Sequence, residues 1–237
     1  MTLCIVIRTR EGFVGLGDSA VITGALISTK SKLAIHTLPH GTCFTLTSGL
    51  RSISDKVLSY AGDTLPASGS KRLFEVANEF GQLLRRVREE DAEELQRSRL
   101  EFDAHMLLGG LCTGDPSPTA YLIYPQGNWI EVGRDAPYLT IGRSSSAYPL
   151  LKSLISVNLP LSLAANVGIL AIDAAAASIV NVRYPIDIAV LADHATNVVH
   201  RQLTEADVAP LLAHWRSSLK SSLDKAPALD IGISSTP

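Results

Sequence analysis

The second residue of the chain has the chemistry of a nucleophile. Thr2 follows Met1 directly and opens an apolar run, Leu3 to Ile7, which is typical of a β-strand. Removal of Met1 would expose a threonine that carries both a hydroxyl and a free α-amine. A threonine hydroxyl needs a base to take its proton, and an α-amine with an unperturbed pKa of about 7.7 to 8.0 is such a base. Thr2 is therefore a candidate nucleophile and base in one residue, the alternative being a trimmed edge strand.

The elements that would position this residue come in blocks of strands and blocks of helices. Apolar periodicity and turn residues predict strands at 3–8, 12–17, 33–36, 43–47, 105–112, 119–124, 129–132, 138–141, 186–191 and 198–202. They predict helices from 50, over 73–87, over 147–157, over 162–179, and after a capping box formed by Thr204 and Asp207. Strands and helices that are grouped in blocks, instead of alternating along the chain, favour antiparallel layers over a doubly wound parallel sheet. The predicted fold class is α+β, a four-layer αββα sandwich of two antiparallel sheets flanked by helices.

Length and composition set the scale of the fold. The chain has 237 residues, of which 46% are hydrophobic and 19% charged, so we expect one core and one domain over 1–225. The tail 226–237 has little to bury. The net charge of -2 predicts no basic patch for a phosphate backbone, so no nucleic acid partner is expected. The charged stretch 85–99 is interpreted as a solvated helix face.

Metal, disulfide and membrane signals are weak. Cys4, Cys43 and Cys112 are far apart, without a C-x-x-C pair or histidines at ligand spacing, and are expected to be reduced core residues. The sequence predicts no metal site and no cofactor, and it lacks the G-x-S-x-G elbow of serine hydrolases. No basic and apolar leader precedes the first strand, and no apolar run reaches about 20 residues. We expect a cytoplasmic protein without a membrane partner.

Three further polar or flexible positions fall at strand ends. Asp18 follows the second strand, Lys32 precedes the third, and Gly49 marks a junction between a strand and a helix. A backbone N–H at such a junction can face a ligand. These strand ends are predicted to converge on the start of the first strand.

The order of short motifs along the chain is more specific than any one of them. The motifs are Met1-Thr2, Gly17-Asp18-Ser19, Ile27-Ser28-Thr29, Lys32-Leu33, Thr47-Ser48-Gly49, Leu108-Gly109-Gly110, Tyr121 to Asn128, Ile141-Gly142 and Tyr184-Pro185-Ile186-Asp187. In this order and spacing the chain resembles the proteasome β subunits, which are threonine peptidases among the N-terminal nucleophile hydrolases. It is most similar to their bacterial relatives, the Anbu (ancestral β-subunit) family. The resemblance implies the αββα fold of that group.

The resemblance also implies roles for individual residues. Thr2 would be the nucleophile, with its own α-amine as proton acceptor. Lys32 would hold positive charge near the hydroxyl, and Asp18 would pair with Lys32. Gly49 would donate its backbone N–H to the oxyanion of the tetrahedral intermediate.

The remainder of the site departs from the pattern of the proteasome β subunits. These have a Ser-Gly pair after the glycine that matches Gly142, whereas this chain has Arg143 followed by three serines, of which Ser144 is the candidate for proton transfer. The family also has an Asp and a Ser on the late helix that support the threonine. In this chain Asp173 is assigned that supporting role, with Ser178 a weaker candidate because it lies five positions away instead of three.

The substrate is expected to bind as an extended strand. The stretch from Ser19 through Ala20 and Val21 to Gly24 would form one wall of the cleft by pairing with a peptide. Thr47, two residues before Gly49, is assigned to the same cleft.

The implied function is hydrolysis of peptide bonds, with a peptide or an unfolded protein as substrate. Self-association into a ring or an open helical assembly would enclose the sites. Two alternatives remain open on the same fold: a catalytically silent assembly subunit, and an amidase that acts on small molecules with the same terminal chemistry.

Overall fold

Two five-stranded antiparallel sheets form the centre of the protein. The computed structural model describes residues 2–23, 26–180 and 182–227. The strands are β1 (Leu3–Thr9), β2 (Gly12–Asp18), β3 (Ala20–Thr23), β4 (Leu26–Thr29), β5 (Leu33–Leu38), β6 (Gly41–Gly49), β7 (Ala104–Cys112), β8 (Thr119–Ile123), β9 (Trp129–Glu131), β10 (Tyr138–Gly142), β11 (Ile186–Ala192) and β12 (Val199–Leu203). The first sheet has the order β10-β1-β2-β11-β12, and the second has the order β5-β6-β7-β8-β9. A separate hairpin pairs β3 with β4.

Helices cover the outer face of each sheet. They are α1 (Arg51–Thr64), α2 (Leu73–Arg97), α3 (Tyr148–Leu154), α4 (Leu161–Ser178) and α5 (Glu205–Asp224). The second sheet shares one apolar cluster with α1 and α2, and the first sheet shares another with α3, α4 and α5. A third cluster lies between the two sheets. The predicted αββα sandwich is confirmed.

The first strand shows why its sequence is apolar throughout. Leu3, Ile5 and Ile7 pack in the cluster under the helices, whereas Cys4 and Val6 pack in the cluster between the sheets. A strand covered on both faces reads as a continuous apolar run instead of an alternating one. Both of its ends are therefore fixed within the core.

Helix α4 is the most apolar helix among the described residues. By length and composition alone it could cross a membrane. It instead packs against β1 and β2, and a Cβ added at Gly168 would lie 2.5 Å from a methyl group of Leu16. This close approach identifies α4 as a core helix of the sandwich.

Some expectations from the sequence need correction or lie beyond the described residues. The hairpin of β3 and β4 was not predicted as a strand pair, because each strand has only four residues. Helix α2 continues ten residues beyond Val87, so most of the charged stretch 85–99 is helical, as its interpretation as a helix face predicts. The capping box of α5 is confirmed, since Thr204 accepts from the N–H of Asp207 at 3.3 Å. Met1 and residues 228–237 of the predicted tail lie outside the described residues.

Candidate active site

The Asp18 carboxylate connects the first strand to Lys32. Its Oδ1 accepts a hydrogen bond from the N–H of Leu3 at 2.8 Å, and its Oδ2 accepts from the Lys32 ammonium at 2.6 Å. The same ammonium donates to the carbonyl of Ala20 at 3.0 Å. Asp18 is fully buried and the Lys32 side chain is 13% exposed. The structure thus places a buried ion pair at the residue that follows Thr2.

The environment of Asp18 has two opposing effects. Burial raises the pKa of its carboxyl above the ordinary value, while the Lys32 ammonium and the Leu3 N–H oppose that shift. A buried carboxylate is tolerated where cationic and N–H donors surround it. We assign Asp18 as ionised, because both of its oxygens accept short hydrogen bonds.

A second set of contacts fixes the carbonyl of Thr2. The N–H of Arg143 donates to it at 2.7 Å, and Leu3 pairs with Gly142 across β1 and β10. Gly142 has a φ of +85°, and a Cβ at this position would lie 2.0 Å from the Thr2 oxygen. Only glycine combines this backbone conformation with such a close approach. Thr2 is therefore held from two sides.

Thr2 lines a cavity of about 460 Å³ at this edge of the sandwich. The other lining residues are Ser48, Gly49, Leu50, Glu101, Asp103, Gly142 and Arg143. Gly49 has a φ of +110° and lies against the Asp103 carbonyl, which accepts the N–H of Leu50 at 2.6 Å. The candidate nucleophile Thr2 and the candidate oxyanion donor Gly49 thus border one space large enough for a small ligand.

The residues assigned to the substrate cleft have mixed outcomes. Ser19 is fully buried, and its N–H, carbonyl and hydroxyl bind Pro185, Lys30 and Asp187, respectively. It therefore has no free group for a peptide, and its assignment to the substrate is corrected.

The neighbours of Ser19 hold the Lys32 region. Ala20 is buried and contributes its carbonyl to the Lys32 ammonium. Val21 pairs with Ser28 in the β3–β4 hairpin. Thr47 is buried and its N–H donates to the carbonyl of Lys32 at 3.1 Å. These contacts position the site, and binding of substrate by Val21 or Thr47 stays a prediction.

The structure does not bring Ser144 or Asp173 to the lining of the cavity. The carbonyl of Ser144 accepts the N–H groups of Ala147 and Tyr148 at the start of α3. Asp173 accepts from the Tyr184 hydroxyl at 3.0 Å and lies 3.4 Å from the Arg216 guanidinium. Both residues therefore make contacts that hold helices in place. These contacts do not favour a role of Ser144 in proton transfer or of Asp173 in supporting Thr2.

Ser178 meets a serine that the sequence did not single out. Its Oγ lies 2.6 Å from Oγ of Ser146, which joins the end of α4 to the segment after β10. Ser178 also donates to the carbonyl of Ala174 at 3.0 Å. The weaker candidate of the late helix is thus engaged in a contact between two elements.

Sequence reasoning gave no role in the site to three polar residues that lie near it. Glu101 and Asp103 line the cavity, and Asp187 binds Ser19 from β11. For Asp187 a signal was present, because a charged residue inside an apolar strand must find buried partners. Glu101 and Asp103 precede β7 in a loop, where charged residues are ordinary.

No protein-family model and no curated protein sequence matches the chain. Several solved structures have the same fold. The helical assembly of the Anbu complex from Pseudomonas aeruginosa superposes with a TM-score of 0.89 at 22% identity, covering 97% of this chain and 99% of that chain. Anbu (ancestral beta-subunit) from Yersinia bercovieri gives 0.87 at 24% identity, with coverage of 97% and 99%.

A Gly-1 mutant of Anbu from Hyphomicrobium sp. strain MC1 gives a TM-score of 0.88 at 22% identity, covering 98% of this chain and all of that chain. The agreement extends over nearly the full length in all three cases. The chain therefore has the fold of the Anbu proteins, as the resemblance in its sequence predicts.

Proposed function

We propose that the protein is a proteasome-like threonine peptidase of the Anbu type, with Thr2 as its nucleophile after removal of Met1. One observation carries the proposal. The buried Asp18 carboxylate binds both the strand that begins beside Thr2 and the Lys32 ammonium. Lys32 is thereby linked through Asp18 to Leu3, the residue after Thr2, and Thr2 itself lines a cavity.

Acylation begins when Thr2 Oγ1 attacks the carbonyl carbon of the scissile amide. The hydroxyl proton passes to the α-amine of Thr2, and the Lys32 ammonium stabilises the developing alkoxide. The carbonyl oxygen becomes an oxyanion that accepts the N–H of Gly49. The intermediate then collapses, the protonated amine returns its proton to the leaving nitrogen, and an ester on Thr2 remains.

Deacylation uses the same groups in reverse. The neutral α-amine takes a proton from a water molecule while the oxygen of that water attacks the ester carbonyl. The second tetrahedral intermediate releases the carboxylic acid, and Thr2 Oγ1 regains its proton. The cycle consumes one water and one amide bond.

Self-association is part of the proposal. The Pseudomonas aeruginosa Anbu complex is a helical assembly. We expect this chain to form a ring or an open helical turn that restricts access to the cavity. The substrate would then be a peptide or an unfolded segment of a protein.

A catalytically silent assembly subunit is the second candidate function. It is favoured by Arg143, which lines the cavity. In sequence, Arg143 follows Gly142 at the point where proteasome β subunits have a Ser-Gly pair. It is also favoured by the contacts of Asp173, which bind Tyr184 and Arg216. In this case Thr2 would only begin a buried strand.

A comparison of two N-termini tests the proposal. The chain is expressed with its native Met1-Thr2 start and, separately, with a non-cleavable N-terminal extension, and hydrolysis of fluorogenic peptides is measured. The native chain is expected to cleave and the extended chain to be inactive, because an acylated nitrogen cannot act as the base. Equal rates would reject the α-amine mechanism, and no cleavage by a chain that has lost Met1 would favour the silent subunit.

A further inference from the structure

A second buried carboxylate lies close to the Asp18–Lys32 pair. Asp187 lies within β11 between two isoleucines and is 1% exposed. Its Oδ2 accepts from the Ser19 hydroxyl at 2.5 Å, and its Oδ1 accepts from Gln202 Nε2 at 3.3 Å. His200 Nε2 lies 3.0 Å from the same Oδ1. The two donors other than Ser19 come from β12, the edge strand of the first sheet.

The sheet register places this carboxylate beside the site. Asp187 is opposite Gly17 on β2, and the preceding Ile186 is opposite Asp18. Ser19 follows Asp18 in the chain and is also bound through its backbone to Pro185 at 3.0 Å and Lys30 at 2.8 Å. Asp187 therefore anchors the middle of the segment 18–20.

That segment supplies both acceptors of the Lys32 ammonium. Asp18 binds it through Oδ2, and Ala20 binds it through its carbonyl. Ser19 lies between these two acceptors. A shift of Ser19 would move both acceptors together, and the ammonium with them.

Two buried carboxylates and one largely buried cation lie in this region. Asp18 and Asp187 are buried, and Lys32 is the buried cation that pairs with one of them. Both carboxylates act on Cys4 of β1: burial raises the pKa of its thiol, Asp18 raises it further, Lys32 lowers it and Asp187 raises it. His200 is 36% exposed at its side chain, and His200 and the exposed Gln202 both connect Asp187 to the surface.

We propose that Asp187, Ser19 and His200 are positioning residues that hold the Asp18–Lys32 pair in place for Thr2. The inference rests on the proposed peptidase function. None of the three residues lines the cavity of Thr2, so they act through Asp18 and Lys32 and do not touch the substrate. The edge strand β12 thereby controls the reactivity of a residue on the other side of β2.

The test measures kcat, KM and the pH profile of peptide hydrolysis for Asp187→Asn, Ser19→Ala and His200→Ala. Asp187→Asn is expected to lower kcat by on the order of 10- to 100-fold with little change in KM, since small displacements of reacting groups are costly and the cavity is unaltered. Ser19→Ala and His200→Ala are also expected to lower kcat, by a smaller factor than Asp187→Asn.

The pH profile separates this role from simple structural support. The acid limb belongs to the Thr2 α-amine, whose unperturbed pKa is about 7.7 to 8.0. Loss of the negative charge in Asp187→Asn makes the local potential more positive and should move that limb to lower pH. A merely structural residue would change the height of the profile and leave the limb in place.

His194→Ala is the matched control, because this histidine follows β11 and its side chain is 96% exposed. It should leave kcat unchanged. If the wild type cleaves peptides and the three variants match it in kcat and in the acid limb, the inference fails and the peptidase function stands. If Asp187→Asn does not fold, Ser19→Ala and His200→Ala decide the question by a loss of kcat at unchanged KM, since neither variant removes the negative charge that moves the acid limb. If the wild type shows no peptide hydrolysis that requires Thr2, both the peptidase function and the positioning role are rejected.

Discussion

The two ends of β1 carry the same residue type with different surroundings. Thr2 directly precedes β1 and Thr9 is its last residue; they are 5% and 4% exposed, respectively, and about 23 Å apart at about 3.3 Å per residue. The Thr9 hydroxyl donates to the Gly12 carbonyl at 3.3 Å and accepts from the Glu11 N–H at 3.1 Å. Thr2 instead lines a cavity. One threonine closes a turn, and the other borders a space that a ligand could enter.

Each end also has a cavity, and the two cavities differ in their charges. The cavity at the Thr9 end, of about 300 Å³, is lined by residues that include Arg8, Arg10 and Arg134. Arg10 and Arg134 are exposed. At the other end the cavity of Thr2 is lined by Glu101, Asp103 and Arg143, and the Asp18–Lys32 pair outside that lining is buried. Burying charged groups costs free energy, and a buried ion pair often adds no net stability. The buried Asp18–Lys32 pair is therefore better explained by a function than by stabilisation of the fold.

The largest expected effect comes from removing the two hydroxyls in turn. Thr2→Ala should abolish peptide hydrolysis with little change in the free energy of unfolding. Thr9→Ala should leave hydrolysis intact and lower the free energy of unfolding by about 1 to 2 kcal/mol, because the Glu11 N–H loses its acceptor. Peptide assays and urea unfolding of both variants measure this contrast. A Thr2→Ala chain that still cleaves peptides would break it.

The next effect separates a buried ion pair from an exposed one. Lys32→Met should abolish activity and destabilise the fold by about 3 to 5 kcal/mol, because it leaves the Asp18 carboxylate unpaired. Lys30→Met is the control two residues away, since Lys30 pairs with Asp55 on the surface and such pairs contribute about 1 kcal/mol or less.

The double variant Asp18→Asn/Lys32→Met sharpens this prediction. It should recover part of the stability lost in Lys32→Met, because no charge is left buried, while activity stays absent. A double-variant cycle of unfolding free energies gives the coupling. Additive losses would mean that the two side chains do not form the pair described.

A third effect compares two glycines at opposite ends of the first sheet. Gly142 and Gly12 have φ values of +85° and +136°, and a Cβ would lie 2.0 Å from the Thr2 carbonyl and 2.1 Å from the Leu191 carbonyl, respectively. Both Gly→Ala changes should destabilise the fold by about 1 to 2 kcal/mol or more through backbone strain alone. Only Gly142→Ala should also lower kcat, measured below the unfolding transition of each variant. Equal kcat values would show that the carbonyl contact does not position Thr2.

The smallest effect on activity concerns a histidine farther along the strand that begins after Lys32. Burial lowers the pKa of His36 to about 4, from the usual 6.5 of a histidine. The unfolded chain therefore binds a proton at a higher pH than the folded chain, so stability falls as pH drops from about 6.5 to 4, by at most about 3 kcal/mol. His36→Gln should flatten this fall without changing peptide hydrolysis at neutral pH. Unfolding curves at several pH values test it, and an unchanged slope would contradict the assignment.

Local patterns predicted the elements that bury an apolar run or close a turn. The first hairpin and the capping box of Thr204 and Asp207 depend on neighbours in sequence, and both are present. The pairing of Asp18 with Lys32 was expected from the resemblance, since spacing alone does not distinguish it from two surface charges. The structure brings these two side chains together.

Long-range contacts were the part that the sequence could not supply. Ser19 and Asp187 are 168 positions apart, so no local pattern connects them. Asp173 was expected near Thr2 on the basis of the family pattern, but the helix that carries it places it against Tyr184 and Arg216. Such outcomes depend on how a helix is rotated on its sheet, which a motif does not specify.

The most direct measurement is the mass of the N-terminal tryptic peptide after treatment with a peptide epoxyketone, a reagent that needs a hydroxyl and an α-amine together. The expected product is the peptide Thr2 to Arg8 without Met1, carrying one covalent adduct on Thr2. The adduct should be absent in Thr2→Ala and in the chain with an N-terminal extension. A peptide that retains Met1, or one that begins at Thr2 and stays unmodified while peptides are cleaved, would contradict the account.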